Sequence, residues 1–113
     1  MASVDDIYKA LMTAAPAAFG NAWKDAKGFV PVELHKLAVE LVSIADNVAK
    51  FELDNNDGYP PATGKVLLEM QKRATENVLI AVTALTLIAL EDTINAVLKA
   101  AKGFVSGAVA ALL

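Results

Sequence analysis

The sequence predicts an all-α protein, a small bundle of three to five helices built on a long helical hairpin. Apolar residues recur at helical spacing along most of the chain, and no six-residue segment alternates convincingly between polar and apolar side chains. Residues 77–90 form a run of 14 residues without a formal charge. A bilayer span needs about 20 such residues. We therefore expect this run to be buried on nearly all sides, by this chain or by copies of it.

The composition predicts one domain, residues 1–113, with more apolar surface than a monomer of this size easily buries. Hydrophobic residues make up 56% of the chain, whereas soluble domains average about 45–50%. The net charge of −3 argues against a nucleic-acid partner, which would require a clustered basic surface. The chain has no cysteine, which excludes disulfides and thiolate chemistry. Its acidic first residues do not resemble a Sec signal peptide, and the sequence leaves the cellular location open.

Helical signals begin near the amino terminus. Ser3 and Asp6 have the spacing of a capping box, which predicts a helix start. Pro16 interrupts the apolar face that follows, so the chain either kinks there or begins a new helix with proline at its first position. The apolar face then continues to Lys27, and Gly28 is expected to end it.

The clearest helix is expected at about Pro31 to Leu53. Apolar residues repeat at helical spacing from Leu34 to Phe51, and polar residues repeat on the opposite side. The helix therefore has one broad packing side. Its predicted core residues are Leu41, Ile44 and Val48, and its apolar arc is widened by Val39, Val42 and Ala49.

A loop at residues 54–64, in which Tyr59 is exposed or docked, precedes a long helical segment reaching about Ala101. We favour one unbroken helix, wet at both ends and buried in the middle, where Leu85 and Ile88 are core or interface residues. The alternative is a break, with Asp92 as the cap of a second helix. The charged residues of the first turns are expected to form a solvated stripe: Lys65, Glu69, Lys72, Arg73 and Glu76.

The pentapeptide A-K-G-F-V occurs at residues 26–30 and again at 101–105. In each copy we expect lysine to neutralise a helix end, glycine to take the left-handed conformation, and phenylalanine to pack back on the last turn. The alternative is a duplicated docking motif. The tail, residues 104–113, has no charged side chain and is expected to form a short helix or a docking arm.

No motif predicts catalysis, a metal site or a cofactor. Gly58–Val66 differs in spacing from a phosphate-binding loop, and Asn55–Gly58 lacks the main carboxylates of a calcium loop. The single histidine, His35, has valines one helical turn away on either side, where catalysis would need a base or a nucleophile. Asp92 lies near the apolar side, where we expect it to cap a helix or form an interface ion pair.

These features favour a non-catalytic structural subunit that self-associates or joins a larger protein assembly, such as a phage or other particle. The predicted interface residues are Val39, Val42, Ala49, Val78, Val82, Leu85, Ile88, Phe104, Val105 and Leu112. The first alternative is a membrane-active protein, holin-like or pore-forming, although no basic cluster or aromatic belt flanks the short apolar run. The second alternative is a bundle that binds a small ligand, and this function would need a pocket.

Overall fold

The computed structural model describes residues 3–113, and most of this part of the chain is helical. The helices are α1 (Val4–Phe19), α2 (Trp23–Ala26), α3 (Val30–Leu53), α4 (Pro61–Val82), α5 (Leu87–Lys99) and α6 (Gly107–Ala110). The helices α2 and α6 are single turns, and the four long helices pack into an elongated bundle of 45 × 22 × 19 Å. No strand occurs in residues 3–113, so the predicted all-α fold is confirmed.

The first helix begins as predicted but does not stop at its proline. The Asp6 backbone N–H donates to the Ser3 hydroxyl at 3.2 Å, and the Ser3 backbone N–H donates to the Asp6 carboxylate at 3.2 Å. These two bonds form the predicted capping box. Helix α1 continues through Pro16 to Phe19, so the alternative in which a new helix begins at Pro16 is wrong. The chain then passes through a 3₁₀ turn, Gly20–Ala22, into α2.

The helix α3 is the centre of the bundle and starts one residue before its predicted beginning. It packs against α1, α4 and α6. Leu41, Ile44 and Val48 are fully buried, which confirms them as core residues. In the tight turn before α4, Gly58 has a φ of +60°, and the Tyr59 N–H donates to the Asn47 carbonyl oxygen at 3.2 Å. The turn therefore docks onto α3, and the α3–α4 pair forms the predicted helical hairpin.

The long carboxy-terminal helix is not continuous, so the favoured prediction is wrong. Helix α4 ends at Val82 and α5 begins at Leu87. The Thr83 hydroxyl donates to the Leu79 carbonyl oxygen at 2.8 Å, and the Thr86 hydroxyl caps α5 by accepting from the Ala89 N–H at 3.2 Å. Such threonine bonds compete with helix continuation. The break therefore lies at the two threonines, not at Asp92, which is exposed inside α5.

The uncharged run is not buried on nearly all sides of this chain. Leu79 and Leu90 are its only fully covered residues, and Leu85 is half-buried against the core. Ile88 is 73% exposed, so it does not belong to the core of this chain. The break explains the difference, because α5 turns back along α4 and each helix then buries one face only.

The two A-K-G-F-V segments end their helices without left-handed glycines. In residues 3–113 positive φ angles occur only at Gly20 and Gly58, so the predicted conformation is wrong for Gly28 and Gly103. Each end is closed instead by a tight bond from the Phe N–H to the Ala carbonyl oxygen, 2.9 Å in the first copy and 3.0 Å in the second. Both phenylalanines are exposed, Phe29 to 46% and Phe104 to 42%.

The tail forms the predicted short terminal helix, α6, and docks on the bundle. Val109 is fully buried, and α6 packs against α3 and α4. The tail contact lies beside Gly64, where a Cβ atom would stand 3.6 Å from Leu112 and only 2.8 Å from Ile44. The absence of a side chain at Gly64 therefore allows α3, α4 and the tail to meet.

Candidate functional site

A charged cleft of about 200 Å³ lies between α4 and α5. On α4 its lining residues are Glu69, Lys72, Arg73 and Glu76, which share one helix face because they lie three or four residues apart. On α5 the cleft is lined by Glu91 and Asn95, which are also one helical turn apart. The cleft exists because the break at residues 83–86 brings α5 back against this charged face of α4.

Glu76 is the most unusual residue of the cleft. Its exposed fraction is only 3%, and it takes part in none of the ion pairs or side-chain hydrogen bonds found within residues 3–113. Lys72, which is also buried, pairs instead with Glu69, its Nζ atom lying 3.2 Å from the Glu69 Oε1 atom. The prediction of a solvated stripe is therefore wrong for Lys72 and Glu76.

Burial raises the pKa of Glu76 above its ordinary value, and the nearby Glu91 carboxylate raises it further. The cations of Lys72 and Arg73 oppose this shift, while Glu69 adds to it. The ionised form of Glu76 is thus disfavoured by its surroundings, and the net effect follows from loss of water together with like charge. An additional cation that enters the cleft would therefore stabilise the ionised form of Glu76.

Tyr59 occupies a second polar position, where the loop before α4 meets α3. The prediction allowed an exposed or a docked aromatic, and the residue is docked, with a buried hydroxyl that makes no hydrogen bond within residues 3–113. Burial raises the pKa of the Tyr59 phenol, and Ser43 and Asn47 lie close enough to oppose the shift. Tyr59 packs against the core and its backbone N–H bonds to α3, so the residue fixes the loop on the bundle.

The single histidine lies on an open apolar groove of about 440 Å³. His35 is exposed and meets the edge of Tyr8, with ring centroids 5.7 Å apart. Pro31, Val32 and Lys36 form the rest of the groove lining. Lys36 is paired with Glu33 at 3.2 Å, and none of the residues that line the groove is a carboxylate. His35 is therefore an exposed residue on the surface of α3 that contacts Tyr8 of α1.

Three of the ten large exposed apolar side chains within residues 3–113 lie beside the turn between α4 and α5: Ile80, Leu87 and Ile88. We call Ile80, Ala81, Ala84, Leu87 and Ile88 the hairpin tip, since all five are exposed. Other large exposed apolar residues are distributed over α3, the first half of α4 and the two A-K-G-F-V segments: Phe29, Val32, Val39, Leu53, Val66, Met70 and Phe104. The tip is the place where such residues combine with a run of sequence that carries no charge.

The ten predicted interface residues fall into three groups. Val39, Ile88 and Phe104 are exposed and available to a partner. Five others pack on the core of their own chain: Val42, Val82, Leu85, Val105 and Leu112. Ala49 and Val78 are half-buried. Helical spacing predicted which residues lie on an apolar helix face. It did not distinguish the residues that this chain covers from those that it leaves exposed.

No group of three or more histidine, aspartate or glutamate side chains in residues 3–113 is arranged to hold a metal ion. No helix in this part of the chain is long and apolar enough to cross a membrane. Comparison of the chain with protein-family models, curated proteins and solved structures found no match.

Proposed function

We propose that this chain is a non-catalytic structural subunit that associates with further copies of itself through the hairpin tip. The observation that carries the proposal is the exposure of Ile80, Leu87 and Ile88 at one end of the α4–α5 pair. None of residues 77–90 has a charged side chain that would interact with water at this end of the hairpin. Clustered exposed apolar residues on a folded domain are typical of contact surfaces.

The position of the apolar residues supports the proposal, whereas the total surface area does not. The chain exposes 5987 Å², close to the roughly 5,950 Å² that a compact monomer of this mass exposes. The chain thus buries its own core without a partner. Association would be driven by local burial of the tip, and it need not complete the fold.

Sedimentation of the full chain over a wide concentration range tests the proposal. We expect the wild type to form an oligomer, and Ile88→Asp to shift it towards the monomer because the change places a charge inside the apolar contact. The matched control is Leu53→Asp. Leu53 is 91% exposed and is flanked by Glu52 and Asp54, so the control should sediment as the wild type does.

Two results would contradict this proposal. A wild type that remains a monomer at every concentration would remove self-association. Equal dissociation of Ile88→Asp and Leu53→Asp would show that the tip is not the specific contact surface.

The same exposed tip gives the membrane-active alternative a specific test, since apolar residues at the end of a hairpin can also enter a lipid surface. Flotation with neutral and anionic vesicles separates the two functions. Vesicle binding that is lost in Ile88→Asp, by a chain that is monomeric in buffer, would favour the membrane alternative over assembly.

A further inference from the structure

We infer that the cleft between α4 and α5 binds a small organic cation, a primary ammonium or guanidinium group, with Glu76 as its principal partner. Glu76 lines the cleft, and its exposed fraction is only 3%. It nevertheless pairs with no cation and accepts no side-chain hydrogen bond among residues 3–113. Buried charges in folded proteins are ordinarily paired. A cationic guest would supply the missing pair.

The two cations of the chain that line the cleft do not fill this role. The Lys72 ammonium is engaged by Glu69 at 3.2 Å. Arg73 is exposed and forms no ion pair among the described residues. Glu76 is therefore left facing Glu91 on the neighbouring helix, and two carboxylates that face one cleft repel each other unless a cation lies between them.

The acceptors available in the cleft suit a nitrogen cation. Glu76 is on α4, while Glu91 and Asn95 are on α5, so two carboxylates and one amide oxygen come from both walls. An ammonium group has three N–H donors and no acceptor, which matches three acceptors of this kind. A metal ion fits less well, because no three acids or histidines in residues 3–113 are arranged so that they could hold one. The volume of about 200 Å³ restricts the guest to a small molecule or one side chain.

Substitution of Arg73 should change cation binding in a direction that the inference specifies. Its guanidinium lines the same cleft, so it should repel a cationic guest and attract the carboxylate of a zwitterionic one. Arg73→Gln is therefore expected to strengthen binding of a simple cation. Weaker binding in this variant would instead indicate a ligand that carries an anionic group, and it would overturn the assignment.

The inference is tested by titrating the full chain with propylammonium and methylguanidinium while backbone amide NMR shifts are recorded. Propanol and methylurea at the same concentrations are the neutral controls. We expect saturable shifts at α4 and α5 with at least one of the two cations, and none with either neutral compound. Glu76→Gln should weaken binding about tenfold or more, the loss typical of a hydrogen bond to a charged group, and Glu91→Gln should weaken it less.

Glu52→Gln, an exposed change on α3, is the matched control and should bind as the wild type does. Unchanged binding in Glu76→Gln, equal shifts with the neutral compounds, or no saturable shift with either cation would each overturn the inference. If Glu76→Gln fails to fold, the opposite effects expected for Glu91→Gln and Arg73→Gln still decide the matter. The cleft and the hairpin tip share no residue, so a monomeric chain would end the assembly proposal and leave this test unaffected.

Discussion

Glu76 is an acid held where its ionised form is disfavoured. It lies under α5, with Glu91 facing it and with the nearer lysine, Lys72, paired to Glu69. Its side chain is a component of the α4–α5 contact as well as of the cleft. Burial of this carboxyl group therefore affects both the stability of the fold and the binding of any cation that enters the cleft.

Replacing Glu76 by glutamine should stabilise the fold at neutral pH. Burial raises the pKa of Glu76 in the folded chain above the ordinary value of 4.5. Below the unfolded pKa both states bind the proton and the site has no penalty; as the pH rises through the folded pKa, ionisation destabilises the fold. Denaturant unfolding should therefore show Glu76→Gln to be more stable than the wild type at pH 7, with the difference disappearing below about pH 4.

The control for this measurement is Glu52→Gln, since Glu52 is exposed at the end of α3. It should unfold at pH 7 with nearly the same free energy as the wild type, because an exposed surface change has little effect on stability. A wild type that loses stability below pH 7 in parallel with Glu76→Gln, with a constant difference between them, would contradict a raised pKa at this residue.

At the scale of the elements, the turn before α4 depends on a glycine. Gly58 has a φ of +60°, and a Cβ atom there would overlap the Asn47 carbonyl oxygen of α3. That carbonyl accepts the Tyr59 N–H, so the turn and the helix are held at one backbone contact. The turn in turn fixes where α4 starts beside α3.

Gly58→Ala should lower the free energy of unfolding by roughly 2 kcal/mol or more, since it adds positive-φ strain to a backbone clash. Gly28→Ala is the matched control, because Gly28 has an ordinary φ and no atom within 4 Å of a Cβ at this position. Chemical denaturation of both variants measures the difference. A Gly58→Ala chain as stable as the Gly28→Ala chain would show that the turn does not hold α4 against α3.

At the scale of the whole molecule, the tail completes the bundle. Val109 is fully buried, and Leu112 lies beside Gly64, where α4 is in contact with Ile44 of α3. Residues 104–113 were predicted to be a terminal helix or a docking arm, and the structure uses them to cover the core of their own chain. Phe104 alone remains exposed at the start of this segment as a large side chain.

Removing residues 104–113 should therefore destabilise the folded monomer by about 3 kcal/mol or more, from the lost burial of Val109 and Leu112. Phe104→Ala is the comparison, since this exposed side chain should contribute little to folding. Thermal unfolding and sedimentation of both variants separate the two effects. A truncated chain with unchanged melting temperature would contradict a structural role for the tail, and an oligomer lost in Phe104→Ala at unchanged stability would place Phe104 in the interface.

Features that depend on neighbouring residues in the chain were predictable. The all-α fold, the Ser3–Asp6 capping box, the bounds of α3 and its core residues follow from helical spacing and capping, which act within a few turns. The same local signals located the tail helix. They did not predict the role of Thr83 and Thr86, whose hydroxyl bonds end one helix and start the next.

Features that depend on which helix covers which face required the tertiary structure. The sequence by itself determined that residues 65–76 carry a charged stripe and that residues 77–90 are apolar. Only the fold decided that the stripe would be covered by α5, leaving Glu76 buried, and that the apolar run would end in an exposed tip with Ile88 at its surface. The physical reason is that periodicity defines the faces of a helix, while contacts between segments distant in sequence decide which face meets water.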